Sequence, residues 1–213
     1  MIARMDHAVG QVMDAVDAAG LRERTLIVFT SDNGGVEVLP YSETKVTDNA
    51  PLRGAKFQLF EGGIRVPAIA SWPGVIPAGS RNSDPVITHD WAATLLAMAG
   101  TSSEGLDGQD LTPLLRETGT LSPRVLGWHY PHYMPREDMK PTSAIRYKNW
   151  KFILDYESGQ IALYDLESDP SESIDLSDSR PDTSLEMQAR LTLWLEENHA
   201  QLPRVNPDFS SGE

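Results

Sequence analysis

A short motif with metal-binding potential follows the first strongly apolar run of the chain. Residues 25–30 are β-branched and apolar, as expected for a strand buried on both faces, and Ser31-Asp32-Asn33-Gly34-Gly35 comes directly after them. Ligands commonly bind at the carboxyl ends of strands in open α/β sheets. The side chains of Asp32 and Asn33 present hard oxygens, which calcium and magnesium prefer. The motif therefore predicts either part of a divalent metal site or a plain turn, which is the commoner role of such residues when they stand alone.

A lysine in the next glycine-containing stretch is the second candidate for chemistry. The stretch from Pro51 to Gly74 reads PLRGAKFQLFEGGIRVPAIASWPG and contains Lys56. An ammonium group can act as a point charge toward an anionic ligand, although a lone lysine is more commonly a solvated surface residue. Neighbouring residues are expected to hold the loop in shape by ion pairs, hydrogen bonds and a glycine turn: Arg53, Glu61, Arg65, Gly62 and Gly63.

Together these motifs resemble the sulfatase family. The motif at residues 31–35 and the stretch at residues 51–74 match the family pattern in nearly unbroken order. The amphipathic helix at the start of the chain, the segment at residues 128–133 and the run at residues 163–166 also look like sulfatase pieces in the right sequence. The resemblance therefore extends over almost the whole chain.

The resemblance implies roles for three residues. Asp32 and Asn33 would be calcium ligands in a sulfate pocket, and Lys56 would donate to a sulfate oxygen. The substrate would be a sulfate ester or a related anionic ester. This assignment makes chemical sense, because a cation and a nearby ammonium both stabilise the negative charge that develops on ester oxygens.

Two histidines are candidates for substrate binding. His129 and His132 lie among aromatic residues in the segment Trp-His-Tyr-Pro-His-Tyr. The resemblance implies that the carboxy-terminal part of the chain lines the substrate entrance, where both could contact substrate. The alternative is that they are packed, hydrogen-bonded residues of the second sheet.

The resemblance covers only the carboxy-terminal half of a sulfatase. The family carries upstream a Cys- or Ser-led motif whose first residue becomes formylglycine, whereas this chain has no cysteine and no serine in such a motif. The remaining calcium ligands would also lie upstream. A half-domain exposes a sheet edge and an apolar face. We therefore expect a homo-oligomer or a complex with the missing amino-terminal half.

The element pattern predicts an α/β protein with a parallel sheet and helices, followed by a small antiparallel sheet and a terminal helix. The resemblance to sulfatases implies that the parallel sheet is part of an alkaline-phosphatase-like one. Residues 1–120 would form the second half of a sulfatase-like α/β domain. Residues 121–213 would form an antiparallel subdomain closed by a helix that begins at Thr183, with Glu186 completing a capping box. The acidic stretch at residues 167–178 would be solvated surface.

Net charge, apolar runs and the first residues of the chain bear on its partners and its location. The formal net charge of -13 disfavours nucleic acid and membrane surfaces, and no apolar run reaches the length of a membrane span. No leader resembling a signal peptide opens the chain, so it would be cytoplasmic as it stands, although the family it resembles is often exported.

Two other functions agree with the same residues. Related folds host several ester chemistries, so a phosphatase or carboxylic esterase with a rebuilt site is one alternative. The other alternative is a non-catalytic module that binds a sulfated glycan or a protein.

Overall fold

The chain divides into two compact units. The computed structural model describes residues 2–37, 44–133, 140–204 and 206. Unit 1 consists of Met1–Asp32 and Pro67–Ser122, and unit 2 of Asn33–Val66 and Pro123–Glu213. Among the described residues, no helix combines the length and the apolar character that a membrane crossing needs.

Unit 1 contains helices and one pair of short strands. Its elements are α1 (Ile2–Ala18), a 3-10 turn (Arg22–Arg24), β1 (Ile27–Thr30), β2 (Ala68–Ser71), α3 (His89–Met98) and α4 (Thr112–Leu115). Gly20 and Gly100 follow α1 and α3 with φ angles of 67° and 73°. These left-handed glycines lie just beyond the two helices, the position at which glycine commonly ends a helix.

The carboxylate of Asp90 organises the start of α3. Asp90 is fully buried, and its two oxygens accept the backbone N–H of Ile87 at 2.8 Å and of Gln109 at 2.9 Å. Thr88 occupies the N-cap position without a side-chain cap bond. Asp90 therefore satisfies backbone donors at the helix start and also ties the helix to the segment before α4.

The described strands of unit 1 do not show the predicted parallel arrangement. β1 and β2 pair antiparallel, with Ile27 opposite Ser71 and Thr30 opposite Ala68. Parallel neighbours need a crossover that usually contains a helix, and the described part of this connection contains only the one-turn helix α2 (Glu61–Ile64). β1 is also half-buried with an exposed last residue, and not buried on both faces.

The apolar stripe of α1 is present but uncovered. Ile2, Met5 and Val12 are 78%, 49% and 61% exposed, and no described residue of the helix is buried. An amphipathic helix gains most of its stability by packing its apolar face against another element. This face of α1 is consequently available for a further packing partner.

Unit 2 is built on a four-stranded antiparallel meander. Its strands are β3 (Val125–Tyr130), β4 (Thr142–Tyr147), β5 (Trp150–Asp155) and β6 (Ile161–Asp165), in that order across the sheet, and helix α5 (Pro181–Glu197) closes the unit. Lys148 and Gly159, with φ angles of 56° and 70°, lie in the tight turns between strands. The predicted mixed α/β class, with its antiparallel carboxy-terminal sheet and closing helix, is confirmed.

Each face of this sheet has its own hydrophobic cluster. On one face, Ala144, Ile153 and Tyr164 pack with Leu59 and Phe60 from the segment before α2. On the other, the strand residues Ile145, Phe152 and Leu163 pack against Met187 and Leu191 of α5. The segment at residues 53–64 is therefore held on one face of the sheet and α5 on the other, both within unit 2.

Helix α5 begins earlier than the sequence predicts. It starts at Pro181 and has Arg180 at the N-cap position without a side-chain cap bond, so the predicted capping box of Thr183 and Glu186 is wrong. Proline suits the first helical position because its φ is already helical and its missing N–H needs no partner there. Glu186 instead pairs with Arg190 at 2.8 Å, one turn along the helix.

Candidate functional site

Asp32 and Asn33 follow β1 directly, as predicted. Asp32 is exposed, with Ser31 Oγ 3.5 Å from its Oδ1. Asn33 is half-buried and donates from Nδ2 to the carbonyl oxygen of Gly34 at 3.0 Å. This bond orients the carboxamide.

These two side chains suit calcium in type but not in number. Calcium takes about 6–8 oxygen ligands, drawn from carboxylates, amides, carbonyls and water. Within the described ranges, no group of three or more acidic or histidine side chains could hold a metal ion. Asp32 and Asn33 could thus be part of a calcium site only if other ligands join them.

Backbone bonds join the motif around Asn33 to the segment that carries Lys56. Gly34 N–H donates to the carbonyl of Gly63 at 2.8 Å, and Lys56 N–H donates to the carbonyl of Gly35 at 3.1 Å. A Cβ atom on Gly34 would lie 1.8 Å from the carbonyl oxygen of Gly62, so only glycine permits this approach. The fold of unit 2 therefore brings together two motifs that the sequence identifies separately.

Gly62 and Gly63 are required for close packing. A Cβ on Gly62 would lie 2.2 Å from the carbonyl oxygen of Gly54, and one on Gly63 would lie 2.0 Å from that of Gln58. Both glycines lie in α2. The sequence predicts that these glycines allow a turn that side chains would block. In the structure there is indeed no room for side chains at either position, but the glycines lie in a helical turn that packs against neighbouring backbone.

A row of aromatic contacts runs from Lys56 to His132. Lys56 is half-buried, and its Nζ lies 5.2 Å from the ring centroid of Phe57. The ring of Phe57 lies 6.5 Å from that of Tyr130, which in turn makes an edge contact at 5.5 Å with the exposed ring of His132. The structure thus places Lys56 and one of the two predicted substrate-binding histidines at the ends of one continuous row.

Phe57 carries backbone strain beside the candidate lysine. Its φ is 79°, in the left-handed region that bulky residues rarely adopt. Such a conformation costs on the order of 1–3 kcal/mol and tends to occur at functional sites. Nothing in the sequence signals this strain, because Phe57 is not a residue type that favours positive φ.

His129 lies elsewhere and is engaged within the protein. It lies opposite Ser143 in the sheet, with Nδ1 2.6 Å from Ser143 Oγ and Nε2 3.0 Å from the carbonyl oxygen of Gln201. A carbonyl only accepts, so in the neutral ring Nε2 donates and Nδ1 accepts from Ser143. The Tyr156 hydroxyl, 2.8 Å from Ser143 Oγ, completes the chain of bonds, and burial raises the pKa of Tyr156. The structure does not place His129 in the row that joins Lys56 and His132.

A buried ionic cluster supports the segment that carries Lys56. Lys151 Nζ lies 3.0 Å from Glu61 Oε1 and 2.8 Å from Glu172 Oε1. The backbone N–H of Glu61 donates to Glu172 Oε2 at 2.6 Å. Lys151 and Glu172 are completely buried and Glu61 is 2% exposed. The cluster connects α2 to β5 and to the loop after β6, so it anchors the end of the segment that begins near Lys56.

Arginines surround this cluster. Arg65 and Arg146 lie 3.6 Å and 4.0 Å from Glu61 Oε2, and burial lowers the pKa of Arg146. Arg53 donates from Nη1 to the Tyr164 hydroxyl at 3.0 Å and to the carbonyl of Glu172 at 3.1 Å. The prediction that Arg53, Glu61 and Arg65 hold the loop in shape is confirmed.

The loop that supplies Glu172 is ordered by Asp169. The Asp169 carboxylate accepts from the hydroxyls of Ser171 and Ser173 and from the N–H groups of Ser173 and Ile174, at 2.7–2.9 Å. Between these bonds, Glu172 adopts a φ of 54° and turns inward, and burial raises its pKa. The prediction of a solvated acidic stretch is therefore wrong for Glu172, because a charged partner in a distant strand makes its burial possible.

Two protein-family models match the chain. The sulfatase model matches residues 1–101, and the model described as N-sulphoglucosamine sulphohydrolase, C-terminal, matches residues 55–201. Together they include both candidate motifs and the antiparallel sheet.

Individual proteins show the same relationship. A sulfatase of Formosa agariphila is 34% identical over 92% of this chain and 39% of its own length. Human arylsulfatase A is 38% identical over 70% of this chain and 29% of its own length. The chain thus spans less than half the length of these relatives.

Solved structures agree in fold. The crystal structure of Ps i-CgsB has a TM-score of 0.77 and 30% identity, covering 95% of this chain and 44% of that protein. A second structure of Ps i-CgsB, in complex with k-i-k-neocarrahexaose, gives the same TM-score over 97% of this chain. The resemblance seen in the motifs is confirmed, and the chain belongs to the sulfatase family, matching the carboxy-terminal part of its members.

Proposed function

We propose that this chain supplies the Lys56 side of a sulfate-ester site and that the whole protein hydrolyses sulfate esters. The observation that carries the proposal is the pair of backbone bonds, Gly34 to Gly63 and Lys56 to Gly35, that joins the motif at Asn33 to the lysine segment. Membership of the sulfatase family indicates the class of reaction, which is the hydrolysis of sulfate esters.

Lys56 would bind the sulfate group. Lys56 is a half-buried residue whose ammonium lies 5.2 Å from the centroid of the Phe57 ring, and solvent screening is weaker there than at a fully exposed site. A positive charge held there stabilises the negative charge that develops on the ester oxygens during cleavage. The strained backbone at Phe57 would set the directions in which the side chains of Lys56 and Phe57 point.

Asp32 and Asn33 would bind calcium together with ligands from outside the described residues. Calcium, when bound, would supply a second positive charge for the sulfate oxygens. This chain's own contribution would be the Asp32 carboxylate and the Asn33 carboxamide that its bond to Gly34 orients.

The substrate would be a sulfated or related anionic ester. Ps i-CgsB has been crystallised with a neocarrahexaose, which favours a saccharide. His132, exposed at the end of the aromatic row, would contact the substrate. His129, with both ring nitrogens engaged, would act indirectly by holding β3.

The uncovered face of α1 would pack against the rest of a sulfatase domain or a second copy of the chain. The exposure of Ile2, Met5 and Val12, together with a span of 39% of the Formosa relative, supports this. Light scattering after size exclusion tests it. A dimer, or a complex with a co-expressed amino-terminal half of a sulfatase, is expected, and a monomer with no affinity for either counts against the proposal.

Titration with methyl sulfate tests the role of Lys56. We expect Lys56→Ala to weaken binding about tenfold, because it removes a charge-assisted hydrogen bond. Lys148→Ala is the matched control, since Lys148 Nζ also lies over an adjacent ring, 5.4 Å from the centroid of Tyr147. Equal affinities for the two variants would contradict the proposal.

Hydrolysis of nitrophenyl sulfate, phosphate and acetate, with and without calcium, tests the reaction class. The experiment is run on the chain alone and on its complex with an amino-terminal sulfatase half. Calcium-dependent release from the sulfate, lost in Asp32→Ala, is expected for the complex. Turnover of only the phosphate or the acetate would favour a rebuilt esterase site.

A further inference from the structure

Unit 2 contains a cavity that the sulfate-site residues do not line. Its volume is about 360 Å³, within the range of small-molecule pockets. It lies between residues 53–60 and the β5–β6 side of the sheet, and none of Lys56, Asp32, Asn33 or the two predicted substrate histidines is among its lining residues.

One wall of the cavity is aromatic. Phe57, Phe60 and Tyr164 contribute to it, and Phe60 and Tyr164 meet edge to face with ring centroids 6.4 Å apart. The guanidinium of Arg53 lies 3.9 Å above the Phe60 ring and also donates to the Tyr164 hydroxyl. These contacts hold Arg53 in place.

The rest of the lining both donates and accepts hydrogen bonds. Asp155 Oδ1 accepts from the backbone N–H of Glu157 and of Ser158, so the carboxylate is held against the turn after β5. Asp175 Oδ1 is held in the same way by the N–H of Leu163 at 3.0 Å. Gln160 adds an exposed carboxamide. Fixed acceptors beside amide and guanidinium donors are the groups that recognise hydroxyls.

The charges of the lining cancel. Arg53 and Lys140 face Asp155 and Asp175, and Lys140 is further neutralised by Glu157 at 2.6 Å. An anionic ligand would find no net attraction there, whereas a neutral ring with hydroxyls at its edge can stack on the aromatic wall and bond to both kinds of group.

From this lining we infer that the cavity binds one neutral sugar ring, separately from the sulfate-binding lysine. The inference does not depend on sulfate ester hydrolysis. If both sites operate, the cavity specifies a saccharide with at least one unsulfated unit.

Heteronuclear NMR titration of the full chain with methyl β-D-glucopyranoside and methyl β-D-galactopyranoside tests the inference. Saturable shifts are expected for residues 53–60 and 160–164. Gln160→Ala should weaken binding about fivefold, the loss expected from one hydrogen bond. Gln188→Ala on α5 is the matched control, because Gln188 is also exposed and does not line the cavity. A second variant, Ala162→Leu, should weaken binding by filling the space.

Lys56→Ala separates this inference from the proposed function. It should leave glycoside binding unchanged while it weakens methyl sulfate binding. Three results would overturn the sugar site: no saturable shifts with either glycoside, equal effects of Gln160→Ala and Gln188→Ala, or cyclohexanol binding as tightly as the glycosides. The last result would identify the cavity as generically apolar.

Discussion

Lys151 Nζ lies 2.8 Å from Glu172 Oε1, and neither side chain is exposed to solvent. Two carboxylates, from Glu61 and Glu172, share this one ammonium. Burying charges is costly unless they are paired, so the cluster is stable only when all its members are present. The integrity of the segment at residues 53–64 therefore depends on a lysine about ninety residues further along the chain.

Lys151→Met should lower the free energy of unfolding by about 3–5 kcal/mol, because it removes the ammonium that the buried Glu61 and Glu172 carboxylates share and leaves Glu172 without an ion-pair partner among the described residues. Urea denaturation measures the change. The control Lys148→Met, at an exposed turn position, should stay within about 0.5 kcal/mol of the wild type. If the triple variant Lys151→Met, Glu61→Gln, Glu172→Gln were no more stable than Lys151→Met alone, uncompensated charge would not be the cause.

Gly62→Ala should destabilise the protein by at least about 2 kcal/mol, since the new methyl group would lie 2.2 Å from the carbonyl oxygen of Gly54. Gly10→Ala is the control, because nothing lies within 4 Å of a Cβ at that helical position. It should raise stability by about 0.5–1 kcal/mol. Thermal denaturation of both variants measures the contrast, and similar melting temperatures would contradict the packing argument.

Asp169→Asn should change the dependence of stability on pH. Hydrogen bonds from Ser171 and its neighbours lower the pKa of Asp169 from its ordinary value of 3.8 to about 2. A carboxyl whose pKa falls on folding adds stability above its unfolded pKa and loses it as the pH falls through its folded pKa. The wild type should therefore be more stable than the variant at neutral pH, and the gap should narrow between about pH 4 and pH 2.

Urea titrations at several pH values test this expectation, with Asp178→Asn as a control at an exposed aspartate of the same loop. A gap between wild type and Asp169→Asn that stays constant with pH would show that the carboxylate charge is not involved.

The two histidines should respond differently to substitution. His129→Ala should lower the free energy of unfolding by about 1–3 kcal/mol, because the hydrogen bonds of His129 to the buried Ser143 and to the carbonyl of Gln201 are both lost. His132→Ala should leave stability almost unchanged and weaken binding of nitrophenyl sulfate. Denaturation and ligand titration of both variants separate the roles, and the reverse pattern would show that His129 contacts the substrate.

Much of the fold is predictable because it depends on local patterns. The helix at the start of the chain, the meander at residues 125–165 and the closing helix follow from periodicity and turn residues, which act over a few positions. The direction of strand pairing in unit 1 is not predictable in this way. An apolar run shows that a strand is buried, but its partner and their relative direction depend on the course of the intervening chain.

The candidate site likewise contains some features that the sequence reveals and others that it does not. Asp32, Asn33 and Lys56 are identifiable because the motifs around them are contiguous in the sequence. The strained Phe57 and the cavity beside it are not, because they arise only where residues 53–60 meet the sheet.

The sequence by itself determined the family, the motifs and most of the elements, because each depends on residues that are close together in the sequence. Only the tertiary structure decided that Glu172 is buried against Lys151, that His132 and not His129 shares a row with Lys56, and that a neutral cavity lies beside them. These features depend on contacts between side chains far apart in the sequence, and burial and charge pairing are properties of such contacts.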